Sequence, residues 1–174
     1  MGINRIYALA VVGVMAVALT GCKAKKGATE EEAPKLATVL AMSDPRCAQQ
    51  LLNGFYALEQ NQWRWTSGKF SVMLRPPRNA AEKGATLKLK LHIPDVTVEK
   101  LKSTTLTGTA GGASLAPETY SKTGDYVYAR EIPGSALQGE SVRLDFVLSK
   151  AVPPGSTDLR ELGIIVNMIG LEGK

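Results

Sequence analysis

Residues 87–93 read LKLKLHI, and this stretch decides the fold class. Apolar residues alternate with Lys88, Lys90 and His92, and a period of two places successive side chains on opposite faces of a strand. Residues 142–148 repeat the pattern, with Arg143 and Asp145 between apolar neighbours. Both stretches are therefore predicted to be strands with one face in the core and the other in water.

Further strand-like segments flank these two, separated by turns rich in glycine and proline. They comprise residues 38–42, 63–74, 101–109, 113–115, 126–132 and 162–171. Seven or eight short strands without long alternating helices predict an all-β domain, an antiparallel β-sandwich with a jelly-roll-like layout, over residues 38–174. The run at 162–171 is more continuously apolar, which predicts a central strand buried on both faces.

One short helix is expected before the second strand. Asp44 is a capping residue, Pro45 suits the first helical position, and Gly54 suits the position just past the end. Ala48, Leu51 and Leu52 would then face the core. Cys47 lies four residues before Leu51 and would share its helix face, which favours a small buried apolar residue at this position. A free thiol or an intermolecular link stays open.

The N-terminal segment is predicted to be a secretory signal, residues 1–21. Arg5 precedes an uncharged apolar run at 6–18, which is shorter than the roughly 20 residues of a spanning helix. Its end, Leu19-Thr20-Gly21-Cys22, resembles the bacterial lipobox. The resemblance implies cleavage before Cys22, a thioether-linked diacylglycerol on Cys22 and an acylated amino terminus, for example with palmitate. The alternative is an ordinary cleaved signal with a chance cysteine.

Residues 22–37 are expected to form a lipidated flexible tether, because blocks of lysine and glutamate bury little apolar surface. The lipobox resemblance places the protein in a bacterial cell envelope, held to a membrane by its lipid. Lys23 follows the cysteine, and the absence of aspartate there favours the outer membrane. The periplasmic or surface-facing side is left open.

Composition argues against several classes of function. The formal net charge is +5, and the basic residues are scattered rather than clustered, so no nucleic-acid partner is expected. His92 is the one histidine of the chain, and its place among solvated lysines argues against a catalytic base or a zinc site. Residues 108–112 lack the lysine of a phosphate loop and are predicted to be a hairpin turn, so no cofactor is expected.

Carboxylates keep an enzymatic alternative open. A glycosidase uses two carboxyl groups whose separation is spatial and cannot be obtained from the sequence. The candidates are Asp125, Asp145, Asp158 and Glu161, and turn caps or surface charges are the simpler interpretation. A calcium site made from loop oxygens stays open in the same way. Arg160, between two of these acids, is expected to form a salt bridge.

A second resemblance rests on several short motifs. They are Trp63-Arg64-Trp65-Thr66 with Phe70, Pro117-Glu118-Thr119-Tyr120, Gly124-Asp125-Tyr126, and DLRELGI at residues 158–164. Over residues 51–174 the chain is similar to an uncharacterised β-sandwich module that occurs alone in bacterial lipoproteins. The module is also similar to segments appended to some bacterial glycosyltransferases. The resemblance implies a jelly-roll, galactose-binding-like shape and no established reaction.

Two aromatic groups are the candidate ligand-binding residues. Tyr126, Tyr128 and Arg130 recur at every second position and are expected on the exposed face, while the intervening valine and alanine would face the core. Phenol rings and a guanidinium can stack on a sugar and hydrogen-bond its hydroxyls. The alternative is that the tyrosines cover the flank of the core. Trp63 and Trp65 share a face, as core residues or as a sugar platform, and the core is favoured.

The sequence therefore supports a non-catalytic, lipid-anchored envelope protein that binds a glycan or another envelope component. A structural or protein–protein interaction module without a small ligand is the second hypothesis, and a glycosidase-like enzyme is the third. An exposed aromatic platform would favour the first and a broad apolar patch the second, whereas facing carboxylates in a cleft would favour the third.

Overall fold

The computed structural model describes residues 35–174, which form an all-β domain. The predicted signal, the lipidation site Cys22 and most of the tether lie outside the described residues. The strands are β1 Val39–Ala41, β2 Leu51–Glu59, β3 Trp63–Leu74, β4 Ala85–Ile93, β5 Thr104–Ala110, β6 Ala113–Tyr120, β7 Gly124–Ile132, β8 Val142–Leu148 and β9 Ile165–Gly173. Helices α1 Ala80–Lys83 and α2 Asp95–Leu101 and two 3-10 turns, Pro45–Gln50 and Gly134–Ala136, complete it.

All strand pairings among these residues are antiparallel. The strand order is β6-β5-β8-β3-β9-β4-β7, with β1 beside β9 and β2 beside β3. The sheet folds over on itself, because the terminal strands β6 and β7 come together and are joined by side chains. The predicted antiparallel β-sandwich is confirmed, and the folded sheet also resembles a barrel.

The alternating strands place their apolar residues in the core as predicted. Leu87, Leu89, Leu91 and Ile93 of β4 are each at most 1% exposed. The core-facing residues of β8 are buried as well, and the ring of Phe146 stacks on Phe70 of β3 at 4.9 Å between centroids. Burial of these apolar side chains is the main source of stability for such a sandwich.

The N-terminal helix differs from its prediction. Asp44 accepts the predicted capping bond from the Arg46 N–H at 3.0 Å, but the helix is a single 3-10 segment that ends at Gln50. Gly54 lies inside β2 at a bulge, with φ of 72°, and a Cβ there would lie 2.0 Å from the Lys69 carbonyl oxygen. Consequently Leu52 is 43% exposed and Ala48 is exposed, whereas Cys47 is buried as favoured.

Two further predictions need correction. The sequence reading missed helix α2, which begins directly after Pro94, where the β4 pattern ends. Strand β9 is central in the sheet, but its outer face is only partly covered, because Asn167 is exposed, Ile165 and Met168 are half-buried, and Gly170 is buried. Among the described residues, no helix has the length and apolar character that crossing a bilayer requires.

Candidate ligand-binding face

The residues of β7 face the opposite way from the prediction. Tyr128 is fully buried, whereas Val127 is 51% exposed and Ala129 is exposed. The cause is the pairing with β4, which sets Tyr128 directly opposite Leu89, and directly opposed residues share a face. Tyr126 and Arg130 lie on the same inward side and are half-buried. The prediction that Tyr126, Tyr128 and Arg130 form an exposed cluster is therefore wrong.

These inward residues close the sheet. The Tyr128 hydroxyl donates to the Ala116 carbonyl at 2.8 Å, and Arg130 Nε donates to the same oxygen at 2.7 Å. Arg130 also donates to the Pro117 carbonyl at 3.2 Å and to the Glu118 carboxylate at 2.8 Å. Because burial raises the pKa of Tyr128, the phenol stays protonated and keeps its role as a donor.

Aromatic contacts complete this junction. The guanidinium carbon of Arg130 lies 4.0 Å from the ring centroid of Tyr128, and the rings of Tyr126 and Tyr120 lie 4.8 Å apart. The Tyr126 hydroxyl donates to the Lys122 carbonyl at 3.0 Å. We call this junction the β6–β7 seam; it consists of Ala116, Pro117, Glu118, Tyr120, Tyr126, Tyr128 and Arg130. The polar side-chain groups of Glu118, Tyr126, Tyr128 and Arg130 bind protein partners, and the Tyr120 hydroxyl is buried without one, so the seam offers a ligand little.

The tryptophans lie elsewhere, on the outer face of the sheet. Trp65 is opposite Ile165, Ile165 is opposite His92, and His92 is opposite Asp125, which forms one row across β3, β9, β4 and β7. Trp63 lies on the same face of β3 as Trp65, and both indoles are half-buried and outside the core cluster. The favoured core interpretation is thus wrong, and the tryptophans and tyrosines do not form one site.

A β-bulge interrupts the ladder beside this row. Lys90 is opposite Met168 and Leu91 is opposite Val166, so Asn167 is an extra residue of β9 without a partner in β4. The Asn167 carbonyl is satisfied by the Met42 N–H at 2.9 Å, and its side chain is exposed. Bulges commonly re-aim a side chain near functional sites.

An open depression of about 420 Å³ lies over this bulge. Its lining is Lys90, Leu91, Asp125, Tyr126, Val127 and Asn167. We define the exposed side chains Lys90, Val127 and Asn167 as the bulge site. Lys90 and Val127 are directly opposite each other on β4 and β7, so an ammonium and an exposed apolar group flank the amide of Asn167.

Charges around the bulge site are largely paired. Lys88 contacts Glu172 at 2.6 Å, and Lys174 pairs with Glu131. His92 Nδ1 lies 2.8 Å from an Asp125 carboxylate oxygen. Within residues 35–174, the side chains of Lys90 and Asn167 have neither an ion pair nor a hydrogen bond. These two side chains are consequently available to a ligand.

The candidate catalytic carboxylates all have structural partners. Asp125 contacts His92, Asp145 pairs with Arg143 at 2.8 Å, and Glu161 accepts from the Gly68 N–H at 3.1 Å. Hydrogen bonds from Arg160 lower the pKa of Asp158 to about 2, so this acid is a partner of the arginine rather than a proton donor near neutral pH.

The arginine near these acids is structural, as expected from the sequence. Arg160 pairs with Asp158 and with Glu59, at 2.8 Å each. Glu161, the other expected partner, binds backbone instead. The part of the chain that the structure describes contains no cluster of metal-ligating side chains.

Comparisons with known proteins give structural likenesses only. No protein-family model matches the chain, and no curated protein sequence matches it. One similar solved structure is the CBM36-1 domain of a multidomain xylanase from the hindgut metagenome of Trinervitermes trinervoides. It shares 12% identity and a TM-score of 0.45, with 79% of this chain and 97% of that domain covered.

A second similar structure is a carbohydrate-binding module with specific mannan recognition, at 15% identity and a TM-score of 0.46, covering 80% of this chain and 98% of that one. A third is a family GH115 4-O-methyl-α-glucuronidase specific for decorated arabinogalactans, at 10% identity and a TM-score of 0.47. It covers 80% of this chain and 18% of the enzyme. Carbohydrate-binding modules are thus among the structural neighbours, but likenesses with TM-scores below 0.5 carry no argument about function.

Sequence reasoning missed the bulge site as a site. Lys90 was predicted to face solvent, but Val127 was assigned to the core and Asn167 to a fully buried strand. One signal was available: Asn167 is the one polar residue of the run at 162–171, and asparagine is depleted in regular strands. An asparagine in such a run indicates a local break in the ladder.

Proposed function

We propose that this chain is a non-catalytic, lipid-anchored envelope protein whose β-sandwich binds a glycan at the bulge site. The observation that supports the proposal is the pair of exposed, unpartnered side chains of Lys90 and Asn167 beside the exposed Val127. A sugar presents hydroxyl groups and apolar C–H faces together, and binding sites pair a few placed polar groups with apolar walls.

The row that begins at Trp65 extends the surface toward β3. Trp65 and Ile165 are adjacent on this face and half-buried, so each leaves part of an apolar side chain in contact with solvent. His92 and Asp125 continue the row beside the depression. A glycan chain lying across the strands would contact the apolar end and the polar end of the row together.

Retention on immobilised envelope polysaccharide tests the proposal with the full chain in detergent. Val127→Glu places a bulky charge on the bulge site and is expected to abolish retention. Val147→Glu is the matched control, because Val147 is a valine near the end of β8 that is 41% exposed on another part of the sheet. If both variants are retained like the wild type, or if the wild type is never retained on any glycan, the proposed binding function is wrong.

The anchor is the second part of the proposal and rests on the lipobox-like sequence ending at Cys22. A single acyl chain binds membranes only marginally, whereas two or more bind stably. We expect wild-type protein to incorporate a fatty-acid probe and to fractionate with the outer membrane, and Cys22→Ala to do neither. Wild-type protein without label would contradict the lipid anchor and leave the glycan site untouched.

A protein–protein module is the alternative function, and Leu159 favours it. This leucine is 85% exposed, in a loop held by the ion pairs of Arg160 and by the Tyr56 hydroxyl, which donates to the Glu161 carbonyl at 2.8 Å. Burying so exposed an apolar side chain against a partner protein would remove its surface from water, which favours association. Crosslinking in cells that depends on Leu159 but not on Val127 would support this alternative over glycan binding.

A further inference from the structure

We infer that the bulge site selects acidic glycans, with a ligand carboxylate bound between the Lys90 ammonium and the Asn167 amide. This inference rests on the proposed function and names the class of sugar that the site takes. It comes from the distribution of charge around the depression.

Most other charged side chains along β4 and its neighbouring strands have a partner. Glu172 is occupied by Lys88, at 2.6 Å, and Glu131 by Lys174. Asp125, the carboxylate that lines the depression, lies 2.8 Å from His92 Nδ1. Lys90 therefore has no carboxylate partner among the described residues and can pair with an added anion, while Asp125 lines the same depression and is balanced by His92 only when that histidine is protonated.

Asn167 supplies a second donor next to that charge. The bulge leaves Asn167 without a partner in β4, between Met168, which is opposite Lys90, and Val166, which is opposite Leu91. An ammonium and an amide NH₂ can each donate to one oxygen of a carboxylate, and hydrogen bonds to a charged group are stronger than those between neutral groups.

Val127 defines the rest of the ligand. It is directly opposite Lys90 and is 51% exposed, so the group next to the bound carboxylate rests on an apolar surface. A uronic acid combines these properties, since its carboxyl group is attached to a ring with apolar C–H faces. A carboxylate on a flexible polar chain would use the donors but not the valine.

The experiment compares matched acid and methyl-ester forms of two oligosaccharides, an oligogalacturonate and an oligomannuronate, by titration of the full chain in detergent. We expect the acid forms to bind about tenfold more tightly, the change that corresponds to one hydrogen bond to a charged group. The preference should shrink as salt is raised toward about 1 M, where the screening length falls to about 3 Å.

Substitutions of single lysines test which residue causes the preference for the acid form. Lys90→Gln should bring the acid and ester forms to within about twofold of each other, and Lys90→Arg should keep most of the difference. Lys69→Gln is the matched control, because it removes the same charge from an exposed position on β3, opposite Val147. It should leave the preference unchanged.

Each other result overturns a defined claim. Equal binding of acid and ester forms, or loss of the preference in Lys69→Gln, overturns the acidic selectivity while polysaccharide retention keeps the proposed function. Tri-glutamate that binds as tightly as the uronates shows a general carboxylate site and also overturns the inference. Failure of both oligosaccharide pairs overturns it too, and the proposed function falls with it only if polysaccharide retention also fails.

Discussion

Consecutive residues of β7 have opposite roles. Tyr128 is fully buried in the β6–β7 seam, whereas its neighbour Val127 is 51% exposed at the bulge site. The seam holds residue types that suit a ligand better, three phenols and a guanidinium, yet Tyr128 and Arg130 donate hydrogen bonds to the backbone of β6. The bulge site consists of a lysine, a valine and an asparagine, and among the described residues the side chains of Lys90 and Asn167 have no hydrogen-bond or ion-pair partner.

The comparison shows that availability matters more than residue type. A sheet that folds onto itself leaves two edges, and unpaired edge carbonyls need donors. In the seam those donors are side chains of β7, and they bind the carbonyls of Ala116 and Pro117. Groups that satisfy an edge cannot also serve a ligand without breaking the fold. The side chains of Val127 and Ala129, which alternate with these donors, bind no edge carbonyl and remain exposed.

The largest expected effect comes from removing the centre of the seam. Tyr128→Ala deletes a fully buried aromatic ring and its hydrogen bond to the Ala116 carbonyl, and should lower the free energy of unfolding by about 3–5 kcal/mol. Urea melts measure it. A melt indistinguishable from that of the wild type would show that the seam does not hold the sheet closed.

The next prediction compares the two faces of β4. Leu89, opposite Tyr128, is fully buried, so Leu89→Ala should cost roughly 2–5 kcal/mol. Lys88 forms an exposed ion pair with Glu172, and Lys88→Ala should change stability by no more than about 1 kcal/mol. Equal losses in urea melts would mean that the inward and outward faces are assigned incorrectly.

A smaller effect is expected from the guanidinium of the seam. Arg130→Lys keeps the charge but cannot hold the Ala116 and Pro117 carbonyls and Glu118 together, and should cost about 1–3 kcal/mol. Arg143→Lys is the control, because Arg143 pairs only with its strand neighbour Asp145 at an exposed position, and it should leave stability essentially unchanged. Identical thermal melts for both variants would contradict a special role for Arg130.

The smallest effect is expected at the bulge site. Val127→Ala should change the free energy of unfolding by no more than about 0.5 kcal/mol, because the valine is half exposed. Val166→Ala, at a fully buried valine of β9, should cost about 1.5–3 kcal/mol. A large loss at Val127, measured in the same chemical melts, would place it in the core as the sequence had suggested.

The difference in predictability between β4 and β7 has a physical cause. In β4 the alternating residues are lysines and leucines, so the hydrophobic effect alone selects the buried face. In β7 the alternatives are Tyr126, Tyr128 and Arg130 against Val127 and Ala129, and both sets have substantial apolar surface. A tyrosine can be buried once its hydroxyl finds an acceptor, and that acceptor lies on β6, a contact that periodicity does not contain.

The sequence by itself determined the class of the fold, the strands β4 and β8 with their buried faces, the cap at Asp44, and the hairpin after β5. These features depend on local periodicity and on residues close in the chain. The tertiary structure alone decided which face of β7 is buried, where the bulge at Asn167 falls, and which polar groups stay unpaired. Those outcomes depend on pairing between distant strands, where one shift of register moves every side chain to the other face.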